Sequence, residues 1–149
     1  MTESVELYKD IADTISGIGL ALVDLSVSHT KGGAMRAFAV VYGAAGTGIE
    51  ECSRAHRLIQ ARLEVLLGED DFHLETASPG IDRTIKSDRE YGIFVGRGVR
   101  LFLDDASEVC GRIVSSDGST VVVATADGEA SIALSGIRKG KLDYSQEGR

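Results

Sequence analysis

The hydrophobic pattern of the chain changes near residue 83, and this change restricts the fold to two small domains of different type. Beyond that point, apolar residues fall in short runs, three of which are separated by Asp117-Gly118 and Asp127-Gly128. Asp-Gly between two strands predicts a tight hairpin, because glycine accepts the positive φ of such turns. The runs cover residues 99–103, 109–114, 120–125 and 130–134, and Ile137 and Leu142 predict a fifth strand. Short, evenly spaced strands are typical of a small barrel of the SH3 or Sm type.

The residues before this point combine helical and strand periodicity. Thr47 and Glu50 match a capping box at the start of a helix, and Gly68 predicts the end of that helix. Its apolar face is predicted to hold Ile49, Cys52, His56, Ile59, Leu63 and Leu66. The other predicted elements are a helix over 3–17 and strands over 20–28, 35–42 and 72–77. In the resulting α-β-β-α-β order, two helices can pack on one face of a small sheet.

We therefore predict an α+β chain with two domains. Residues 1–84 form the α-β-β-α-β domain, residues 85–95 form a linker with a short helical turn, and residues 96–149 form an SH3-like (Sm-like) β-barrel. The length of 149 residues suits one medium domain or two small ones, and the change of pattern favours two.

The charge of the chain is negative and uneven. The net charge is −7, and residues 1–79 carry 6 Lys and Arg against 12 Asp and Glu, whereas residues 80–149 carry 10 against 11. Binding nucleic acid over a whole surface needs a broad positive area, so this balance argues against it. The acidic first half instead attracts a basic partner. A short basic stretch opens the second half, with Arg83, Lys86, Arg89, Arg97 and Arg100.

No constellation of residues indicates catalysis, a metal or a cofactor. Cys52 and His56 stand four residues apart, which keeps a thiol enzyme open as a remote alternative, but Cys52 falls on the apolar face of its helix. His29 and His73 lack a second ligand at metal spacing. The glycine-rich residues 43–48 lack the Lys-Ser/Thr of a phosphate-binding loop.

The chain is expected to be soluble and cytoplasmic. No apolar run approaches the roughly 18 residues of a membrane span, and the first residues lack the basic start and apolar segment of a secretory signal. Cys52 and Cys110 are isolated, which predicts reduced thiols.

The only proline of the chain lies in the segment Leu74-Glu75-Thr76-Ala77-Ser78-Pro79-Gly80-Ile81-Asp82-Arg83. Pro79 suits the second position of a type II turn, and Gly80 suits the third position, which requires a positive φ. The opposite charges of Asp82 and Arg83 follow directly. We predict that residues 78–83, named here the corner, hold polar groups in fixed positions.

This segment resembles the ribosome maturation factor RimP family, which carries a similar Ser-Pro-Gly-x-Asp-Arg element. The likeness continues through Ile85-Lys86, Tyr91, Phe94, Val95-Gly96-Arg97 and Val99, and Ile49-Glu50-Glu51-Cys52 is similar to a helix start of the family. The departures are Thr84 in place of proline, Ala77 in place of a small polar residue and Tyr91 in place of phenylalanine. None of these departures removes the corner.

The resemblance implies an assembly factor without enzymatic activity or cofactor. Such a factor binds the immature small (30S) ribosomal subunit through ribosomal protein S-twelve and nearby 16S rRNA, and it leaves before translation. The resemblance also implies an α/β N-terminal domain and an SH3-like C-terminal barrel. We expect a monomer that contacts no membrane.

The resemblance leads to three sets of site predictions. The motif that meets the partner is expected to be Ser78, Pro79, Gly80, Asp82 and Arg83. The acids expected to hold a basic ribosomal protein are Glu50, Glu51, Glu69, Asp70, Asp71 and Glu75. The cations expected to neutralise rRNA phosphates are Arg83, Lys86, Arg89 and Arg97.

Two alternatives stay open. Asp82 and Arg83 either contact the ribosome or bridge the two domains and fix the angle between them. The chain as a whole is alternatively a general RNA-binding module with an Sm-like surface, which would bind RNA in the absence of ribosomal protein.

Overall fold

A computed structural model of the chain describes residues 2–29, 31–68 and 72–147. The chain divides into two compact units, Met1–Pro79 and Gly80–Arg149, each with its own sheet, so the predicted α+β class is confirmed. Residues 85–95, which were predicted to be a linker, instead belong to the second unit. They belong to it because Thr84–Ile85 pairs with a strand of that unit and because Tyr91 and Phe94 are buried.

The first unit has the predicted α-β-β-α-β order. Its elements are α1 (Thr2–Ser16), β1 (Ala21–His29), β2 (Met35–Tyr42), α2 (Ile49–Leu67) and β3 (Phe72–Ala77). Strand β2 lies in the middle of the sheet, antiparallel to β1 and parallel to β3. Both helices contribute to one apolar core with the sheet, through Ile11, Ile15, Leu22, Ala39, Val41, Ala55, Ile59, Leu63 and Leu74.

The buried face of α2 differs from the predicted one. Ile59 and Leu63 are fully buried together with Ala55, but Ile49 is 85% exposed and Leu66 is 37% exposed. Residues 55, 59 and 63 are spaced by four, so they form one stripe along the helix, and Ile49 lies outside that stripe. The apolar periodicity thus predicted the helix correctly. The buried face that it predicted, however, is longer than the observed one by about one turn at each end.

The start of α2 is also shifted by one residue. The cap residue is Gly48 rather than Thr47, and the carboxylate of Glu51, not Glu50, accepts the Gly48 N–H at 2.7 Å. Thr47 Oγ1 accepts the N–H of Gly43 at 2.8 Å instead, because it closes the preceding loop. Gly68 ends the helix with a φ of 65°, as predicted.

The described part of the second unit is a six-stranded antiparallel sheet with one short α-helix and two 3₁₀-helices, Leu134–Gly136 and Tyr144–Gln146. Its elements are β4 (Thr84–Ile85), α3 (Glu90–Ile93), β5 (Gly98–Leu103), β6 (Glu108–Ser116), β7 (Thr120–Thr125), β8 (Gly128–Ala133) and β9 (Ile137–Leu142). The strand order is β4-β9-β5-β6-β7-β8, so β9 lies beside β5 and β4 adds a strand that the sequence pattern did not predict. Among the described residues, β4 and β8 remain at opposite ends of this order, and the sheet does not close into a barrel.

The Asp-Gly turns of this sheet are confirmed. Gly118 and Gly128 have φ of 92° and 117°. The carboxylate of Asp117 accepts the N–H groups of Ser119 and Thr120 at 2.9 and 2.8 Å, and these hydrogen bonds lower the pKa of Asp117. The carboxylate therefore fixes the turn between β6 and β7.

The core of the second unit forms on one face of the sheet. It contains Phe94, Val99, Leu101, Ile113, Val121, Val123 and Leu142, each at most 2% exposed. Tyr91 is 4% exposed, and its burial raises its pKa to about 12, with smaller contributions from Asp88 and Glu90. No helix in the described part of the chain is both long enough and apolar enough to cross a membrane.

Candidate functional site

The corner is a turn, but not the predicted one. The N–H of Arg83 donates to the carbonyl of Gly80 at 3.2 Å, so the turn runs from Gly80 to Arg83 with Ile81 and Asp82 in its centre. Gly80 does not have a positive φ, which excludes the predicted type II turn with Gly80 at its third position. The turn lies two residues later than predicted because two hydrogen bonds fix the backbone of Arg83. Its N–H donates to Gly80, and its carbonyl accepts the N–H of Leu142 at 2.8 Å.

Replacing Gly80 by alanine is therefore expected to leave stability almost unchanged. A Cβ at Gly80 would meet Asp82 Oδ1 at 3.5 Å, which is an ordinary van der Waals contact. Gly68→Ala is the matched control, because its φ of 65° is strained for alanine and should cost about 1 kcal/mol. Urea unfolding of both variants measures the difference, and an equal loss in the two would contradict this assignment of the turn.

The side chain of Arg83 is held by a buried carboxylate. Arg83 Nε and Nη2 donate to the two oxygens of Glu90 at 2.9 and 3.3 Å, and the side chains are 10% and 1% exposed. Such a two-point pair fixes the plane of the guanidinium as well as its position. Both residues lie in the second unit, so this ion pair is internal to that unit.

Glu90 also closes the loop before α3. Its Oε2 accepts the N–H groups of Lys86 and Ser87, both at 3.1 Å, and the hydroxyl of Ser87 at 3.3 Å. A buried charge is costly unless it is paired and hydrogen-bonded, and Glu90 meets both conditions. Glu90 was not predicted from the sequence, because an isolated acid in a charged segment carries no periodic signal.

The predicted rRNA contacts fall into two groups. Lys86 and Arg89 are exposed, as a phosphate contact requires. Arg97 donates through Nε to Glu147 at 2.8 Å, and the two side chains are only 19% and 18% exposed. A loss of binding in Arg83→Ala or Arg97→Ala would therefore report a broken ion pair as well as any lost phosphate contact.

Three of the predicted acidic contacts are described, and they lie on two elements, α2 and β3. Glu50 and Glu51 lie in the first turn of α2, and Glu51 is engaged at the helix start. Glu75 is paired in register with Phe38 on the sheet face opposite the helices, and it lies 3.4 Å from His73. The remaining three, Glu69, Asp70 and Asp71, lie outside the described residues.

The surroundings of Cys52, the partner of His56 in the remote thiol-enzyme alternative, do not favour its thiolate form. Burial, and to a smaller degree the charge of Glu51, raises the pKa of the Cys52 thiol, whereas a nucleophilic cysteine needs a lowered pKa. His56 Nδ1 lies 3.0 Å from Thr76 Oγ1, on a strand next to the helix. Within the described residues, no three His, Cys, Asp or Glu side chains are arranged to hold a metal ion.

A groove on the outer face of the second sheet was not predicted. It has a volume of about 340 Å³ and lies between the corner and the residues that follow β9. Its lining residues are Ile81, Asp82, Arg100, Phe102, Lys141, Leu142, Asp143, Tyr144 and Ser145. Arg100 is held by Glu108 at 2.9 Å and by Asp143 at 3.2 Å. The groove therefore combines exposed apolar surface with charges of both signs.

Together, the fold and the site define a two-unit α+β protein whose signature motif is an ion-paired corner at the start of its second sheet. The family model described as RimP N-terminal domain matches residues 10–82. The chain is 32% identical to a ribosome maturation factor RimP of Borrelia turicatae over 140 residues, which cover 94% of this chain and 96% of the relative. It is 30% identical to the ribosome maturation factor RimP of Borrelia hermsii over 142 residues, covering 95% and 97%. The chain belongs to the ribosome maturation factor RimP family.

Proposed function

We propose that this chain is a maturation factor of the small (30S) ribosomal subunit, which binds the immature subunit through ribosomal protein S-twelve and nearby 16S rRNA. The observation that carries the proposal is the match to relatives named ribosome maturation factor over nearly their whole length. The proposal includes a cytoplasmic monomer that acts without a cofactor or a catalytic step. It also includes an SH3-like arrangement of the second unit.

The charge of the first unit supports a basic protein partner. Residues 1–79 carry 6 cations against 12 acids, a balance that attracts cationic segments over distances of about 10 Å at moderate salt. Glu50 and Glu75 lie on different elements, α2 and β3, so we attribute the attraction to the net charge of the whole unit. A pull-down with purified ribosomal proteins is expected to show a preference for S-twelve.

A strain that lacks the protein tests the proposal directly. Sucrose-gradient profiles of its ribosomes should show an excess of free small subunits that contain unprocessed 16S rRNA precursor. Expression of the wild-type chain from a plasmid should restore the normal profile. A normal profile in the deletion strain would refute the proposed function.

A further inference from the structure

The RNA contact of the proposed function needs cations that are not already held by carboxylates. Arg83, Arg97 and Arg100 each form an ion pair within the second unit. Strand β9 carries three more cations, Arg138, Lys139 and Lys141, and none of them forms an ion pair with a residue that the structure describes. In the described part of the chain, strand β9 therefore carries positive charge that no carboxylate pairs with.

Two of these cations project from the outer face of the sheet. Lys141 lies directly opposite Arg100 on β5, and Lys139 lies opposite Phe102. Residues two apart on a strand point to the same face, so Lys139, Lys141 and their partners share one surface. Like charges directly opposite each other destabilise a sheet. Asp143 and Glu108 offset the charge of Arg100, but the two lysines keep theirs for a partner.

The groove beside these lysines exposes an aromatic ring. Tyr144 is 64% exposed and Ile81 is 69% exposed, and the two line the groove together with Phe102. Exposed aromatic side chains next to cations are the usual means of binding single-stranded RNA, because bases stack on the ring while cations hold the phosphates.

The acids in the groove determine where a phosphate can lie. Asp143 is held by Arg100 and by the hydroxyl of Ser145, and Asp82 is exposed at the corner. Both carboxylates line the groove and repel a phosphate, whereas Lys139 lies on β9 outside the groove lining. A phosphate is therefore expected to lie next to Lys139 and Lys141, and a base is expected to lie against Tyr144.

We propose that this groove is a binding site for single-stranded RNA, with a base stacked on Tyr144 and phosphates on Lys139 and Lys141. The inference rests on the proposed function for the identity of the RNA, which would be an unpaired segment of the immature small-subunit rRNA. It moves the RNA contact away from Arg83 and Arg97, which the fold uses in ion pairs.

The test measures binding of a fluorescent, unstructured 12-nucleotide RNA by anisotropy at several salt concentrations. Lys139→Gln with Lys141→Gln should weaken binding and reduce the slope of log K against log salt by about 1.4, or about 0.7 per lost phosphate contact. Tyr144→Ala should weaken binding about tenfold without changing the slope. Lys9→Gln with Lys31→Gln is the matched control, since it removes the same charge from exposed positions of the first unit.

The outcomes separate this inference from the proposed function. An unchanged salt slope in the Lys139 and Lys141 variant, or no binding of the RNA by the wild type, overturns the groove as an RNA site even if the protein still cosediments with immature subunits. Variants that lose cosedimentation but keep the RNA would show that the groove contacts protein, which also overturns it. RNA binding as expected without cosedimentation supports the groove and refutes the proposed function.

Lys139→Arg with Lys141→Arg should restore the slope, and thermal melting checks that every variant folds.

Discussion

Glu90→Ala is expected to destabilise the second unit by about 3–5 kcal/mol, because it leaves the buried guanidinium of Arg83 without its carboxylate. The side chain of Arg83 is 10% exposed, so water cannot replace the lost partner. The N–H groups of Lys86 and Ser87 lose an acceptor at the same time. A loss of this size is a large fraction of the 5–15 kcal/mol that typically stabilise a small protein.

Urea unfolding of the wild type and of the variant measures this effect as a change in the free energy of unfolding of the second unit. Glu108→Ala is the matched control, because Glu108 also pairs with an arginine but its side chain is 46% exposed, and exposed pairs contribute little. Glu90→Gln should lie between the two, since the amide keeps an acceptor oxygen but not the charge. If Glu90→Ala were as stable as Glu108→Ala, the fold of the second unit would not depend on the ion pair of Arg83 with Glu90.

Gly111→Ala is expected to cost about 3 kcal/mol, by separating two strands of the second sheet. A Cβ at Gly111 would overlap the carbonyl oxygen of Ala124 on β7, and it would come within 2.9 Å of Val123 Cγ1. The clash is with a backbone atom, which cannot rotate away as a flexible side chain can. Strands β6 and β7 must therefore move apart. Their hydrogen bonds and the buried contacts of Val123 weaken as a result.

Gly136→Ala is the matched control for this prediction. A Cβ at Gly136 meets nothing within 4 Å, and its φ is not positive, so the substitution should be neutral or slightly stabilising. The midpoints of urea unfolding compare the two variants with the wild type. Equal midpoints for Gly111→Ala and Gly136→Ala would show that β6 and β7 tolerate a wider spacing than this packing implies.

The elements of the fold were readable from the sequence wherever the signal is local. The strand over Phe72–Ala77 was predicted with its observed bounds, and the strands of the second unit other than β4 were predicted within a few residues. Periodicity and Asp-Gly turns depend on neighbours along the chain, and these neighbours are present in the sequence. The buried face of α2 was less well predicted, because an apolar residue such as Ile49 matches the helical spacing whether or not a strand lies against it.

The candidate site was only partly predictable for a related reason. The Ser-Pro-Gly corner was identified from its residues and from the family likeness, but its turn was placed two residues too early. The ion pair of Arg97 with Glu147 spans 50 residues, and no local pattern links the two. The groove at Tyr144 likewise depends on β9 lying beside β5, an order that sequence spacing does not determine.

The sequence alone determined the α+β class, the order of helices and strands, the uneven charge and the family motif, because each of these is carried by residues close together along the chain. Only the tertiary structure decided that Arg83 and Arg97 pair with carboxylates, while Lys139 and Lys141 have no such partner among the described residues. The reason is physical: the use of a charged side chain depends on which opposite charge lies within about 4 Å of it, and folding brings such partners together from distant parts of the chain.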